Sequence, residues 1–348
     1  MTGFAALVVA VQANCDISDA RHARDMTLCT YLLEMREFFR WESGLPLSAP
    51  LPRAAVGAWL SGREERWAGV EDAEYRRLPL DGALVDPFDT EALNRALVPR
   101  KLVYGAGVGR FGKPQFFLGA LERDEWRDGA RILVARREYA RDLSPAPAAL
   151  RDDTIYVRLD ALRRVLSHRA EAWERKRADG ALKSALAAYG FHDDPDAALE
   201  AMAAAEAETL ILHELGERAA GRLLGPAWER MLAGFTRRHA ELFARAARDH
   251  LADCTTTLPA LLERGAGASL EFWFSGLEGL RRELFPRIVA AHEAWRAGDG
   301  GSALRGAIAS GAAHWRRVCD DVLALAARGD VDAEHAIEAL ALAGVTRL

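Results

Sequence analysis

The chain has 348 residues, half of them hydrophobic, and a formal net charge of −5. One hydrophobic core rarely serves a chain of this length, so we expect two domains. The negative charge provides no overall positive field that would attract a phosphate backbone, which argues against a nucleic-acid-binding protein.

The N-terminal part predicts three helices, over about residues 4–14, 19–41 and 53–77. Apolar residues recur there at steps of three and four, as on one side of a helix. The polar residues Asn14-Cys15-Asp16 predict a turn between the first two helices, and Ser18 predicts an N-cap of the second.

Residues 101–143 have a different pattern, because Val, Tyr and Phe alternate there with Gly. This alternation predicts a small antiparallel sheet of two to four strands, with a turn at Gly112-Lys113-Pro114. The segment Ser144–Pro147 resembles a linker, so we place a domain boundary near residue 150 and expect domains over 1–150 and 151–348.

The C-terminal part predicts an all-helical bundle, with helices over about 156–189, 196–223, 226–263, 269–296 and 303–328. The expected fold class is therefore mostly α, with an α+β N-terminal part that contains the small antiparallel sheet. No apolar run approaches the ~20 residues of a membrane span. The four cysteines, Cys15, Cys29, Cys254 and Cys319, lack disulfide or zinc spacing. We therefore expect a cytoplasmic protein that does not bind a membrane.

Histidines and carboxylates lie on the apolar sides of the predicted C-terminal helices. Glu206, His213 and Glu217 share one side of the second helix of the bundle, and helical bundles build metal sites from such one-turn pairs. The string His213-Glu214-Leu215-Gly216-Glu217 resembles the zincin signature, but its fifth residue is Glu rather than the second His that zinc requires there. A metalloprotease is therefore disfavoured.

The segment Asp249–Cys254 adds further ligand-type side chains on the next predicted helix. We expect His213, Glu217, His250 and Asp253 to bind iron, manganese or zinc, and Glu214 to act as a general base. His239, Glu206 and Cys254 are alternative ligands, and counting residues from a turn at Gly225 places His239 nearest to His213.

Two weaker patterns lie in the N-terminal part. Cys15, His22 and Cys29 form a second set of metal-ligand residue types. The glycines of Gly105–Lys113 could cradle an anion together with Arg110, although the proline that follows predicts a hairpin rather than a phosphate-binding loop.

Several blocks, NCDISDARHA, GRFGKPQFFL, REYARDL, HELGE and RDHLADC, together resemble an uncharacterised bacterial family of conserved hypothetical proteins. The resemblance covers most of the chain and implies no activity, cofactor or partner.

Two functions are consistent with these patterns. In the first, the C-terminal bundle binds a metal ion and acts as a metal-dependent hydrolase or oxidase. In the second, the protein is a non-catalytic interaction or adaptor module whose buried carboxylates and histidines pair with arginines, and exposed aromatic residues around Trp59 and Trp67 contact a protein partner.

Overall fold

The computed structural model describes residues 3–109, 112–329 and 332–348. The chain divides into two compact units, the first comprising residues 1–172 and 191–207 and the second comprising residues 173–190 and 208–348. No helix in the described ranges is both long enough and apolar enough to cross a bilayer. The mostly helical fold class is confirmed.

The first unit contains both helices and strands. Its helices are α1 (Gly3–His22), α2 (Leu28–Glu42), α3 (Arg53–Ala68), α4 (Thr90–Leu97) and most of α5 (Leu159–Lys176). Its strands are β1 (Leu78–Leu80), β2 (Ala83–Val85), β3 (Leu102–Val108), β4 (Pro114–Arg127), β5 (Ala130–Arg141), β6 (Ala148–Arg151) and β7 (Thr154–Arg158).

Helix α1 continues through residues 14–16, so the predicted turn and the N-cap at Ser18 are wrong. The small polar residues bind other parts of the unit instead of ending the helix. Asn14 Nδ2 donates to the Arg76 carbonyl oxygen at 2.9 Å, and Cys15 Sγ donates to the Phe116 carbonyl oxygen at 3.2 Å. Residue types that favour turns can remain inside a helix when their side chains have partners elsewhere.

The larger sheet has the strand order β3-β4-β5-β7-β6 in the described part of the chain. Strands β5 and β7 are parallel, whereas the other neighbours are antiparallel. The antiparallel sheet predicted within 101–143 is confirmed for β3, β4 and β5, but the whole sheet is larger than predicted and mixed, because β6 and β7 extend it to Arg158. The boundary predicted near residue 150 falls within the residues of this sheet.

Two hairpins are closed by Asp-Gly pairs with positive φ. Asp81 and Gly82 (φ 50° and 81°) connect β1 to β2, and Asp128 and Gly129 (φ 52° and 75°) connect β4 to β5. Such pairs match the right-handed twist of the strands that they join. The first hairpin was not predicted, although Asp81-Gly82 is its signal in the sequence.

Apolar side chains cover both faces of the larger sheet. Leu7 and Val11 of α1 form one cluster with Tyr104 and Phe116, and Phe117 belongs to a cluster on the other face. Neighbouring residues of one strand thus point to opposite faces, as the pleat requires.

The predicted partner surface around Trp59 and Trp67 is wrong for Trp67, which is only 4 % exposed. It belongs to a core cluster that includes Met35 and Phe38. Trp59 is half-buried, packs edge-on against Phe38 at 5.9 Å between ring centroids, and donates a hydrogen bond to Glu42.

The second unit is helical in the described residues. The helices that follow α5 are α6 (Ala181–Ala188), α7 (Pro195–Leu224), α8 (Pro226–Gly234), α9 (Arg238–Ala252), α10 (Leu258–Glu263), α11 (Gly267–Ser275), α12 (Gly279–Leu284), α13 (Pro286–Arg296), α14 (Ser302–Ala326) and α15 (Ala333–Leu342). Residues 195–207 of α7 belong to the first unit. The core of the second unit includes Trp228, Phe243, Phe285 and Trp315.

The single helix predicted over 226–263 is wrong, because α8, α9 and α10 occupy that range. Residues 235–237 separate α8 from α9, and a π-helical turn, Asp253–Thr257, joins α9 to α10. A π turn contains one residue more than an α turn and is found frequently at functional sites. Helices α7 and α14, in contrast, lie where the sequence predicts them.

Candidate metal centre

Helix α7 places His213 and Glu217 side by side, as their spacing of four residues predicts. The His213 Nε2 atom is 3.4 Å from Glu217 Oε1. This half of the candidate site is local, since it depends only on the helical geometry of α7.

The π turn after α9 supplies a carboxylate to the same imidazole. Asp253 Oδ1 is 2.9 Å from His213 Nδ1 and accepts its hydrogen bond. The backbones of the two helical segments are close at this point, because a Cβ atom on Gly216 would lie 2.8 Å from the Ala252 carbonyl oxygen. Glycine at 216 is therefore part of what brings Asp253 to His213.

Asp249, one turn before Asp253 on α9, completes a close group. One potential ligand atom from each of His213, Glu217 and Asp249 lies within 4.8 Å of the other two. Their side chains are 24 %, 21 % and 20 % exposed, so each of the three is partly accessible to solvent. Asp253, by comparison, is 1 % exposed.

Two arginines bind the same carboxylates. Arg248 Nη2 lies 2.8 Å from Glu217 Oε1 and 3.2 Å from Asp249 Oδ1, and Arg281 donates to Asp253 Oδ2. His213, Arg248 and Arg281 thus supply positive charge to three carboxylates.

These contacts shift the pKa values of the three side chains in different directions. Burial raises the pKa of Glu217, but the hydrogen bond from His213 and the charge of Arg248 outweigh it and hold that pKa at about 2. Burial lowers the pKa of His213, but Asp253 and Glu217 outweigh it and raise that pKa well above its usual value. The pKa of Asp249 is raised by burial and by the neighbouring charge of Glu217.

His250, a predicted ligand, faces different neighbours. Its Nε2 is 2.9 Å from the Arg281 carbonyl oxygen, and its ring stacks on Trp315 at 4.6 Å between centroids. Burial and the charge of Arg281 lower the pKa of His250 to about 3, so the imidazole is neutral and donates to that carbonyl. Among the described residues the close group contains His213, Glu217 and Asp249 but not His250.

The other predicted residues of this site lie outside the close group. Glu214 is half-buried and His239 is exposed. Glu206 is fully buried and belongs to the first unit. The Cys254 thiol is buried beside Gly311, where a Cβ atom would come within 2.7 Å of Sγ, and burial raises its pKa.

His239 does not belong to the close group of the described residues, because the chain does not turn back directly after Gly225. Residues 226–237 form α8 and a connection, so α9 starts only at Arg238. His213 lies eleven residues before the end of α7 and Asp249 lies eleven residues after the start of α9. Counting from the helix ends, rather than from Gly225, therefore pairs His213 with Asp249.

The second predicted set, Cys15, His22 and Cys29, is not among the close ligand groups of the described residues. Cys15 is buried and donates to a backbone carbonyl, whereas Cys29 is exposed. His22 Nδ1 instead lies 3.0 Å from Asp25 Oδ2. Arg110, the predicted anion ligand, lies outside the described residues.

Asp249 was not chosen as a ligand from the sequence, although a signal for it exists. Asp249 and Asp253 are four residues apart, so they share one side of a helix, whereas His250 is turned by about 100° from Asp249. The pairing of carboxylates with arginines was expected as an alternative to metal binding, but the sequence did not single out Arg248 or Arg281.

Comparison with known proteins assigns the chain to a family. Neither the curated proteins nor the solved structures contain a match to it. The N-terminal domain model of the family of unknown function DUF6866 matches residues 6–158, and the C-terminal domain model of the same family matches residues 163–343. The two matches together span nearly the whole sequence, and the chain belongs to this family.

Proposed function

We propose that the second unit binds a divalent metal ion through His213, Glu217 and Asp249. The observation that carries the proposal is the mutual approach of their ligand atoms to within 4.8 Å. The sequence predicted Asp253 as a metal ligand. In this proposal Asp253 is instead the hydrogen-bond partner that orients His213.

The two nitrogens of His213 support this division of roles. Nδ1 is hydrogen-bonded to Asp253, which leaves Nε2, the nitrogen that faces Glu217, as the ligand atom. A carboxylate on the second nitrogen fixes the orientation of a metal-binding imidazole and increases its basicity. Asp253 is suited to this task because Arg281 and the surrounding core hold it in place.

The donor set favours iron, manganese or zinc. One imidazole and two carboxylates suit these ions, whereas the set contains no thiolate that would select a softer metal. Three protein ligands leave coordination positions for water or substrate, and the partial exposure of the group provides access. Such an ion supplies a Lewis acid and a metal-activated water.

Within the proposed metal-dependent activity, hydrolysis is favoured over oxidation. An oxidase of the helical carboxylate type uses two metal ions and several bridging glutamates. The close group of the described residues offers one glutamate, one aspartate and one histidine, which is enough for one ion.

A structural role is the second candidate, and the two arginines favour it. Arg248 and Arg281 already neutralise carboxylates of the group. In this alternative the ion pairs fix the packing of α7 against α9, and the protein is a non-catalytic interaction module. Removing one member of such a network would be costly whether or not a metal binds.

Metal titration of the full chain separates the two candidates. After chelation and dialysis, we expect about one equivalent of manganese, iron or zinc to bind and to raise the melting temperature. Asp249→Asn keeps the shape of the side chain but removes the anionic ligand, so we expect it to weaken binding at least ~10-fold, the loss typical even of outer-shell changes. Asp253→Asn should weaken binding by ~10- to 100-fold through His213.

The control is His239→Gln on the exposed face of α9, compared with His213→Gln on α7. We expect the variant at 213 to abolish tight binding and the variant at 239 to behave as the wild type. The proposal fails if the wild-type protein binds none of the three metals. If His213→Gln and Asp249→Asn then also lower the stability of the protein, the structural role is supported instead.

A further inference from the structure

Arg248 places a positive group between two of the three proposed metal ligands. Its Nη2 atom lies 2.8 Å from Glu217 Oε1 and 3.2 Å from Asp249 Oδ1. A guanidinium nitrogen that donates to two carboxylates takes up the negative charge that a bound cation would otherwise neutralise. The chain itself therefore supplies a cation to the proposed metal centre.

The oxygen that Arg248 binds is also the oxygen best placed for a metal ion. Glu217 Oε1 is 3.4 Å from His213 Nε2. Two ligand atoms that bind one tetrahedral ion at ~2.1 Å are about 3.4 Å apart. An ion that uses both of them would therefore lie beside Oε1, within a few ångströms of the guanidinium. Two positive groups this close repel one another, and partial burial weakens the screening of that repulsion by water and salt.

The Arg248 contacts can be exchanged for contacts to a metal. The side chain is 13 % exposed, and its Nε atom is buried with no hydrogen-bond partner among the described residues. Departure of the guanidinium would free oxygens of Glu217 and Asp249, which the incoming ion would bind in turn. Arg281 differs in this respect, because it binds Asp253, which is not one of the three ligands.

A further carboxylate lies near Arg248 on another helix. Burial lowers the pKa of Arg248, but Glu217 and Asp249 outweigh it, and the charge of Glu229 on α8 acts in the same direction as theirs. A Cβ atom on Gly221, one turn after Glu217 on α7, would lie 3.9 Å from Glu229 Oε1. Glu229 is thus an acceptor toward which a displaced guanidinium can turn.

We propose that Arg248 is an internal competitor of the metal ion, whose guanidinium binds Glu217 and Asp249 in the metal-free protein and leaves them when an ion binds. This inference rests on the proposed metal site. It accounts for two neighbouring carboxylates that stay packed without a metal, since Arg248 neutralises them. It also lowers the metal affinity, because each binding event breaks charge-assisted hydrogen bonds.

Calorimetric titration of the full chain with zinc chloride and with manganese chloride tests the competition, after chelation and dialysis. Arg248→Gln keeps a polar side chain but removes the charge. We expect it to bind at least one of the two ions at least ~10-fold more tightly than the wild type, as the loss of a hydrogen bond between charged groups implies. The metal-free variant should melt at a lower temperature than the metal-free wild type, so the rise on adding metal should be larger in the variant.

Two other arginines separate competition from a general effect of charge. Arg245→Gln removes a positive charge from α9, but this side chain is 46 % exposed and pairs with Glu241, so the metal affinity should stay within ~2-fold of the wild type. Arg281→Gln removes a positive charge that is bound to Asp253. We expect it to tighten metal binding less than Arg248→Gln does, because it frees no ligand oxygen.

The outcomes distinguish this inference from the metal site on which it rests. The competition is refuted, and the metal site stands, if the wild type binds an ion and Arg248→Gln binds it no more tightly, or if Arg281→Gln tightens binding equally. Both proposals are wrong if neither the wild type nor Arg248→Gln binds either ion. Binding by Arg248→Gln alone would support the competition and refute metal binding by the wild type.

A second variant covers a failure of Arg248→Gln to fold. Arg248→Lys keeps the positive charge on a shorter side chain that ends before the position of Nη2. We expect it to tighten metal binding by more than ~2-fold but less than Arg248→Gln, since an ammonium group still attracts the carboxylates. An affinity equal to or weaker than that of the wild type in folded Arg248→Lys would refute the competition.

Discussion

Two glycines of the same helix should respond in opposite ways to alanine. Gly216 and Gly221 both lie within α7, where alanine is preferred over glycine by ~1 kcal/mol in the helix interior. At Gly221 the added Cβ would have its nearest neighbour, Glu229 Oε1, at 3.9 Å. We therefore expect Gly221→Ala to increase the free energy of unfolding by ~0.5–1 kcal/mol.

Gly216 has no such room. Its Cβ would lie 2.8 Å from the Ala252 carbonyl oxygen and 3.1 Å from the carbonyl carbon. Both atoms belong to backbone, so the helices must separate by a few tenths of an ångström. Overpacking of this kind costs ~1–3 kcal/mol, which exceeds the gain in helix propensity. We expect Gly216→Ala to lower the free energy of unfolding by up to ~2 kcal/mol.

Urea denaturation of the two variants and the wild type measures this difference. The variants should differ by ~2 kcal/mol, with the wild type between them. Because a domain of 150–250 residues changes its melting temperature by ~2–4 °C per kcal/mol, their melting temperatures should differ by ~4–8 °C. The close packing of α7 against Ala252 would be refuted if Gly216→Ala were as stabilising as Gly221→Ala.

Two further predictions concern buried ionisable groups. Burial, together with the charges of Arg296 and Arg282, lowers the pKa of His292 to about 4, even though Glu271 Oε2 lies 3.1 Å from its Nε2. The unfolded imidazole therefore binds a proton first as the pH falls from ~6.5, and the free energy of unfolding should decrease between pH ~6.5 and 4. Urea denaturation at several pH values measures this dependence. We expect His292→Gln to reduce the decrease in the free energy of unfolding between pH ~6.5 and 4, and an unchanged decrease would contradict the prediction. In the first unit, Lys113→Met removes the ion-pair partner of the fully buried Asp19, whose other oxygen still accepts a hydrogen bond from the Leu143 amide, and should cost ~3–5 kcal/mol. Adding Asp19→Asn should recover part of that loss in a double-mutant cycle, and a loss below ~1 kcal/mol for Lys113→Met would show that the pair contributes little.

The fold could be predicted from the sequence where local signals decide it. Helices α7 and α14 have uninterrupted periodicity and clear ends, so their limits were predicted within one or two residues. Asn14 and Cys15 misled the prediction of α1, because their partners are distant in the chain. The parallel pairing of β5 with β7 could not be predicted either, since alternation identifies strands but not their neighbours.

The candidate site likewise contains contacts that the sequence predicts and contacts that it does not. The contact between His213 and Glu217 follows from helix geometry, and the structure brings Asp253 to His213. The preference for Asp249 over His250 depends on the rotation of α9 about its axis, which Trp315 and the Arg281 carbonyl fix from other helices. Such long-range contacts cannot be read from residue spacing.

The π turn at Asp253–Thr257 is a position at which sequences of this family can differ in length by one residue. Each residue inserted into a regular helix rotates everything after it by about 100°, so helix interiors rarely accept insertions. A π turn absorbs one additional residue, and the helices before and after it keep their faces toward the core. A chain with a one-residue gap here would keep the apolar faces of α9 and α10 but would lose the local widening beside Asp253. In an alignment of family members, a gap at this position would therefore mark chains in which the bond between Asp253 and His213 has been remodelled.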